Sequence, residues 1–255
     1  MKAAIILLNN VSKPDSARWW LEGYLKAIGV EVATYSLNFE NLDSLGGIFE
    51  KNDAIIVVGA AGDKRAASKI AEILKLGVEV NQEALELIRN YYSDKMEIPK
   101  DLEDKAVMPE FSYVIQNERG AVPGFVAFSL TDDKFIAATP PRFEEAVECF
   151  ELGIQDFFRQ KTGKKYSVTF ALYLDGSIEA AEKIVERLHQ KEKNVFMRLD
   201  ARFLGTRGVP IAFTVFAESP EELSDTMSRL EEESSKLASE LGLRIFEKEK
   251  DEEEM

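Results

Sequence analysis

Asp53-Ala-Ile-Ile-Val-Val-Gly59-Ala-Ala-Gly62-Asp63-Lys64-Arg65-Ala-Ala-Ser-Lys-Ile-Ala-Glu-Ile-Leu74 decides the fold. Ile55 to Val58 is an unbroken β-branched run, the pattern of a strand buried on both faces. Gly59 and Gly62 bracket a tight turn. From Lys64 the apolar residues Ala67, Ile70, Ala71 and Leu74 recur at helical spacing. The order is strand, glycine loop, helix. Two readings of the loop stand side by side. In one, unpaired amides at a helix N-terminus favour a phosphate or carboxylate. In the other, the loop is an ordinary βα connection with Asp63 as the N-cap. The pattern alone favours the second.

Working outward, Ala3 to Leu8 reads as a first buried strand, and Asp15 or Ser16 as the cap of the next helix. Trp20, Leu21, Tyr24, Leu25 and Ile28 form its apolar stripe, and Gly29 ends it. Of the adjacent Trp19 and Trp20, at least one belongs to packing, because neighbours on a helix face different ways. Val30 to Leu37 reads as a second strand and Leu42 to Glu50 as a short helix. The alternation β-α-β-α-β-α is that of a parallel sheet covered on both faces.

Downstream, Asn81 to Tyr92 reads as a helix with Ala84, Leu85, Ile88 and Tyr91 on one side. Lys95 to Lys105 is a charged excursion. Phe111 to Ile115, Phe125 to Phe128 and Phe135 to Ala138 are strands, with a rigid Gly120-Ala-Val-Pro-Gly124 loop and a Thr131–Asp133 turn between them. Thr139-Pro140-Pro141-Arg142 leads into a helix whose first turn holds Pro141 and which runs through Phe143, Val147, Phe150 and Ile154 to Phe158.

At Thr162–Lys165 the rhythm changes to β-α-β-β-α-β, which predicts a separate small α+β domain. Its expected strands are Tyr166–Leu174, Val195–Leu204, Val209–Ala217 and Leu243–Phe246. Its helices are Ile178–His189 and one opened by a Ser219–Glu222 capping box. The expected boundaries are 1–162 and 165–247, followed by a disordered acidic tail at 248–255. Gly205-Thr-Arg-Gly208 has the spacing of a KH clamp, but it joins two strands and reads as a hairpin turn. Arg198, Arg202 and Arg207, with Asp200, read as a solvated sheet face.

Thirty-two Lys and Arg against 46 Asp and Glu give a net charge of −14, which argues against nucleic-acid or anionic-membrane binding. One cysteine, Cys149, allows no internal disulfide and suits a reducing, cytoplasmic setting. The single histidine, His189, near a helix end, and the packed Cys149 leave no Cys/His zinc site. No apolar run approaches a membrane span, and Met1–Leu8 is too short for a signal core.

Several stretches together resemble a known family. They are Asp15-Ser-Ala-Arg-Trp-Trp-Leu followed by Gly29-Val, the Gly59–Gly62 loop, Asn117-x-x-Gly120-Ala-x-Pro-Gly-Phe125, and Pro140-Pro141-Arg142-x-x-Glu145. They are similar to the N-terminal region of the competence/damage-inducible proteins, CinA. The resemblance implies a three-layer, molybdopterin-binding-like α/β domain with a mostly parallel sheet, followed by a small α+β (KH-like) domain. The family's C-terminal amidase domain has no counterpart here. It further implies a phosphate-facing loop at Gly59 and Gly62, a neighbouring loop at Asn117, Gly120 and Gly124, and a third wall at Pro140 and Pro141. Full-length members include ADP-ribose pyrophosphatases that use a divalent metal.

This sequence departs from the family where the chemistry lies. A Thr and two Asp residues usually follow the glycine loop, whereas here the stretch is Lys64-Arg65-Ala66-Ala67. The family's second glycine is Ala60, costly only if it needs positive φ. Metal-assisted hydrolysis needs hard oxygen ligands, and those carboxylates are gone. The expected site is a shallow pocket walled by Gly59, Gly62, Asp63, Lys64 and Arg65, by Asn117, Gly120 and Gly124, and by Pro140, Pro141 and Arg142. It lies at the C-terminal ends of parallel strands. Three functions follow in order. The first is a non-catalytic or weakly active relative that binds a phosphorylated nucleotide or pterin. The second is a divergent metal-dependent ADP-ribose pyrophosphatase using Asp15, Asp63 or Asp132. The third is an oligomeric scaffold with a vestigial pocket. A phosphorylated small molecule and a second copy, as a homodimer, are the expected partners. No cofactor is firmly implied beyond a possible divalent metal.

Overall fold

The computed structural model describes residues 1–95, 98–200 and 208–247. The chain begins β1 (Lys2–Leu8), α1 (Pro14–Ala27), β2 (Glu31–Leu37), a 3₁₀ turn (Phe39–Asn41), α2 (Ser44–Glu50), β3 (Ala54–Val58) and α3 (Lys64–Leu74). It continues β4 (Val78–Val80), α4 (Gln82–Tyr92), α5 (Leu102–Lys105), β5 (Val107–Pro109), β6 (Tyr113–Ile115), β7 (Gly124–Phe128) and β8 (Phe135–Thr139). Then come α6 (Phe143–Cys149), a π-helical turn (Phe150–Ile154) and α7 (Gln155–Thr162). The remainder is β9 (Tyr166–Leu174), α8 (Ile178–Lys191), β10 (Val195–Leu199), β11 (Val209–Ala217), α9 (Pro220–Glu240) and β12 (Ile245–Glu247). Two compact units result. One is Met1–Leu25 with Val30–Lys161, and the other runs from Thr162 and includes Lys26–Gly29.

The first unit is built on a six-stranded sheet of order β2-β1-β3-β8-β7-β6. β2, β1, β3 and β8 run parallel, whereas β7 and β6 run antiparallel to their neighbours. All five residues of β3 are fully buried, as its β-branched run requires. Ala4, Ile6, Ile55 and Val57 face Leu45, Phe49, Ile70 and Leu85 of α2, α3 and α4. The alternate residues Ile5, Leu7 and Ile56 point the other way and are equally buried. Helix α1 contributes Trp20 and Tyr24 to a ring cluster with Phe150, centroids 4.8 to 5.7 Å apart. Helices thus cover both faces. Among the described residues no helix is long and apolar enough to cross a membrane.

Several local expectations are corrected. α1 starts at Pro14, so Asp15 lies in its first turn and neither Asp15 nor Ser16 is the cap. Tyr91 is exposed, and Tyr92 packs on the core instead. Phe111 is no strand residue: it sits at φ 60° with 77% of its surface exposed. The excursion after α4 contains α5 and returns through β5, which pairs with β4 as a separate ribbon. Pro141 precedes α6 rather than opening it, and the helix beyond is interrupted by the π-helical turn at Phe150–Ile154.

In the second unit the sheet order is β10-β11-β9-β12 and every pair is antiparallel. With α8 and α9 as the connections, this is the split βαβ connectivity of ferredoxin-like sandwiches. Its core joins Leu172, Met197, Ile211 and Phe213 to Ile184, Leu188 and Leu230. Arg198 contradicts the solvated-face reading: only 4% exposed, it donates to Asp200 and to the Thr214 hydroxyl, both at 3.0 Å. Arg202, Gly205 and Arg207, and the tail at 248–255, lie outside the described residues.

Candidate functional site

Parallel register sets the site's position. Leu7 lies opposite Val58, Val58 opposite Thr139 and Leu8 opposite Leu37, so β1, β2, β3 and β8 all end at one edge of the sheet. Ile115 opposite Gly124 brings the β6–β7 loop to the same edge. The residues after these strands, 9–13, 59–65, 117–124 and 139–142, therefore converge.

Hydrogen bonds and close contacts lock them together. The amides of Gly59 and Ala61 donate to the Thr139 carbonyl at 2.9 and 3.1 Å. Asn10 Nδ2 donates to the Gly59 carbonyl at 3.0 Å. Ser12 reaches across to α6, its amide donating to the Pro141 carbonyl and its hydroxyl accepting from the Phe143 amide. Ser12 thus does the capping that no residue of α6's own start does. Gly59 and Gly62 take φ of 93° and 80°, while Ala60 avoids positive φ and the strain it would bring.

The loop between β6 and β7 is held by Asn117. Its side-chain amide donates to the Val122 carbonyl at 2.8 Å and to Glu145 Oε2 at 3.0 Å, while its Oδ1 accepts from the Arg119 amide. Gly120 packs against the Glu145 carboxylate and Gly124 against the Ala138 carbonyl. Pro140 and Pro141 form the third wall, and exposed Arg142 lies 3.4 Å from Glu145 Oε1.

Asp63 is the N-cap of α3, its Oδ1 accepting from the amides of Arg65 and Ala66 at 3.0 Å each. Its Oδ2 accepts from the Arg65 guanidinium at 3.1 Å, and that hydrogen bond and charge hold Arg65 above its ordinary pKa. The guanidinium also stacks 4.8 Å from the Phe39 ring centroid. Lys64 pairs with Asp104 at 2.9 Å. Both basic residues expected to face an anion are therefore paired with acids in the free protein. The amides of Gly62 and Lys64 meet no acceptor among the described residues. The Lys13 ammonium, on the same edge, holds Glu144 below its ordinary pKa.

All eleven expected site residues sit on this one edge. The alternative acids do not assemble: Asp15 is at this end, Asp63 is spent on capping, and Asp132 is in the β7–β8 turn at the opposite end of β8. Ala66 and Ala67 are buried in the core face of α3. Among the described residues no three His, Cys, Asp or Glu side chains come together as a metal set. Glu145 is the residue that sequence reasoning passed over, and its spacing within the Pro-Pro-Arg-x-x-Glu stretch was the available signal.

Fold and loop cluster together define a layered α/β unit with a mostly parallel six-stranded sheet, carrying an additional α+β unit with an antiparallel sheet. Two relatives bear the name competence-damage inducible protein. One from Desulforamulus reducens is 29% identical over 134 residues, 49% of this chain and 32% of that protein. One from Caldicellulosiruptor saccharolyticus is 24% identical over 187 residues, 68% of this chain and 44% of that protein. The chain thus spans about a third to under half of these relatives. A solved structure of CinA from Thermoplasma acidophilum, described as of unknown function, shares the fold. It aligns with a TM-score of 0.52 at 18% identity, over 62% of this chain and 99% of its own. No family model matches the chain.

Proposed function

We propose that the loop cluster binds a phosphorylated small molecule, a nucleotide or a pterin, with little or no turnover. The observation that carries this reading is the pair of unpaired amides at Gly62 and Lys64, on the edge where parallel α/β sheets take ligands. Lys64 and Arg65 are exposed, and exposed ion pairs are weak enough to be exchanged for a phosphate. Asp63 opposes an anion and keeps the affinity modest. Weak turnover is inferred from the capping role of Asp63 and the core packing of Ala66 and Ala67, which leave the phosphate loop short of hard oxygen ligands. The reading extends to a homodimer in the cytoplasm. Sedimentation velocity checks that part.

The test of function is calorimetric titration with ADP and with a pterin phosphate, alongside hydrolysis of ADP-ribose with Mg²⁺, Mn²⁺ or Co²⁺. Binding that weakens with salt and in Lys64→Ala and Arg65→Ala supports the proposal. Absence of binding by either ligand overturns it. Robust metal-dependent hydrolysis, abolished by Asp63→Asn or Asp15→Asn, replaces it with a divergent ADP-ribose pyrophosphatase.

A further inference from the structure

We propose that Glu145 is a positioning residue that fixes two of the three walls of the loop cluster relative to one another. The inference rests on reading that cluster as a binding site. Glu145 is only 7% exposed, unusual for a carboxylate, and lies one turn before the fully buried Cys149. One oxygen accepts from Asn117, whose amide also holds the Val122 carbonyl, so the carboxylate fixes the β6–β7 loop. The other oxygen faces Arg142 of the third wall. Gly120 completes the cradle: a Cβ there would lie 2.4 Å from Glu145 Oε2, so the loop backbone closes directly over the acid. Because Val122 in turn fills the space beside Gly62, the constraint passes on to the glycine loop of the first wall.

The residue touches no ligand in this scheme, and its effect is on loop order. Hydrogen–deuterium exchange at Arg119, whose amide donates to Asn117 Oδ1, reads that order in the free protein. Removing the acceptor in Glu145→Ala is expected to raise its exchange by about tenfold, the scale of one lost charge-assisted hydrogen bond. Glu145→Gln keeps an acceptor for Asn117 and is expected to stay within about threefold of wild type. Inorganic pyrophosphate serves as the ligand probe. Its dissociation constant should rise about fivefold or more in Glu145→Ala and be largely rescued in Glu145→Gln, at temperatures where both are folded. If Glu145→Ala does not fold, Glu145→Leu removes both acceptor oxygens while keeping most of the volume and should give the same exchange pattern. Unchanged exchange in the variant that folds, or a Gln variant as perturbed as the Ala variant, overturns the inference. Wild-type protein that ignores pyrophosphate speaks against the binding reading, while the exchange experiment still decides the hold of Glu145 on its loop.

Discussion

Substituting Gly59 with alanine separates steric packing from backbone strain at the centre of the loop cluster. Gly59 sits at φ 93°, so any side chain there incurs left-handed strain of about 1–2 kcal/mol. Its Cβ would also fall 2.2 Å from Asn10 Oδ1 and 3.2 Å from Val11 Cγ2. Asn10 must then move, which breaks its hydrogen bond to the Gly59 carbonyl and removes about another 1 kcal/mol. Gly59→Ala is thus expected to destabilise by about 2–3 kcal/mol in all. Gly29, at φ 81° with nothing within 4 Å of its Cβ position, is the matched control. Gly29→Ala should cost only the strain, about 1 kcal/mol. Urea unfolding followed by tryptophan fluorescence reports on α1, which holds Trp19 and Trp20 in the unit of Gly59 and ends just before Gly29. With a slope of about 2 kcal/mol per molar, the Gly59 variant should lose about 1–1.5 M in midpoint. In an Asn10→Ala background the excess over Gly29→Ala should largely vanish, as a double-mutant cycle requires of touching groups. Equal losses for the two glycine variants, or an undiminished excess without Asn10, would refute the reasoning.

Three further outcomes follow from single side chains. Burial pushes the Cys149 thiol up to about 12, so at pH 8 the folded protein should resist a disulfide reagent and react only as it opens; full labelling within minutes would contradict this. Desolvation holds the His189 imidazole below its ordinary value, with a Met197 backbone hydrogen bond only partly opposing it. The unfolded chain therefore takes up the proton first, and the stability this provides above the ordinary histidine range is lost as pH falls toward the folded value. Proton NMR of the single histidine checks the direction, and His189→Gln should remove that part of the pH dependence. Ser234, fully buried in α9 with no partner for its hydroxyl among the described residues, should be better as alanine: Ser234→Ala is expected to stabilise by about 1 kcal/mol, and a loss of stability would count against it.

What the sequence made legible was local and strongly patterned. The run from Ile55 to Val58, the capping position of Asp63 and the stripe of α1 each follow from nearest neighbours in the chain, and all three are present. What it hid depends on distant residues. β4 and β5 are three residues each, too short for any period to show. The cap of α6 comes from Ser12, far upstream, so no local signature could announce it. The π-helical turn shifts the phase of the Phe143–Phe158 stripe midway, which an unbroken helical period conceals. Glu145 is the plainest case. On a helical wheel it falls opposite the Phe143, Val147 and Phe150 stripe, beside Cys149 alone of the apolar residues of α6, and the β6–β7 loop covers that face.

The glycine pattern itself changes meaning once the packing is known. Beside Gly59 lies Asn10, beside Gly62 lies Val122 and beside Gly120 lies Glu145, so each glycine is required by the protein's own side chains before any ligand is considered. A glycine-rich loop is therefore weak support for phosphate binding here, and the unpaired amides of Gly62 and Lys64 carry that weight alone. Binding and turnover then separate on simple chemistry. An anion needs only donors and a positive charge, which the loop and Lys64 or Arg65 can supply by exchanging exposed ion pairs. Hydrolysis of a pyrophosphate needs a held cation or an activated water as well, and the carboxylate nearest the loop, Asp63, already holds two amides of α3. Turning Asp63 toward a metal would uncap the helix, at a cost of about 1 kcal/mol before any ligand bond is made. The same residue cannot serve both ends, and the geometry gives it to the helix.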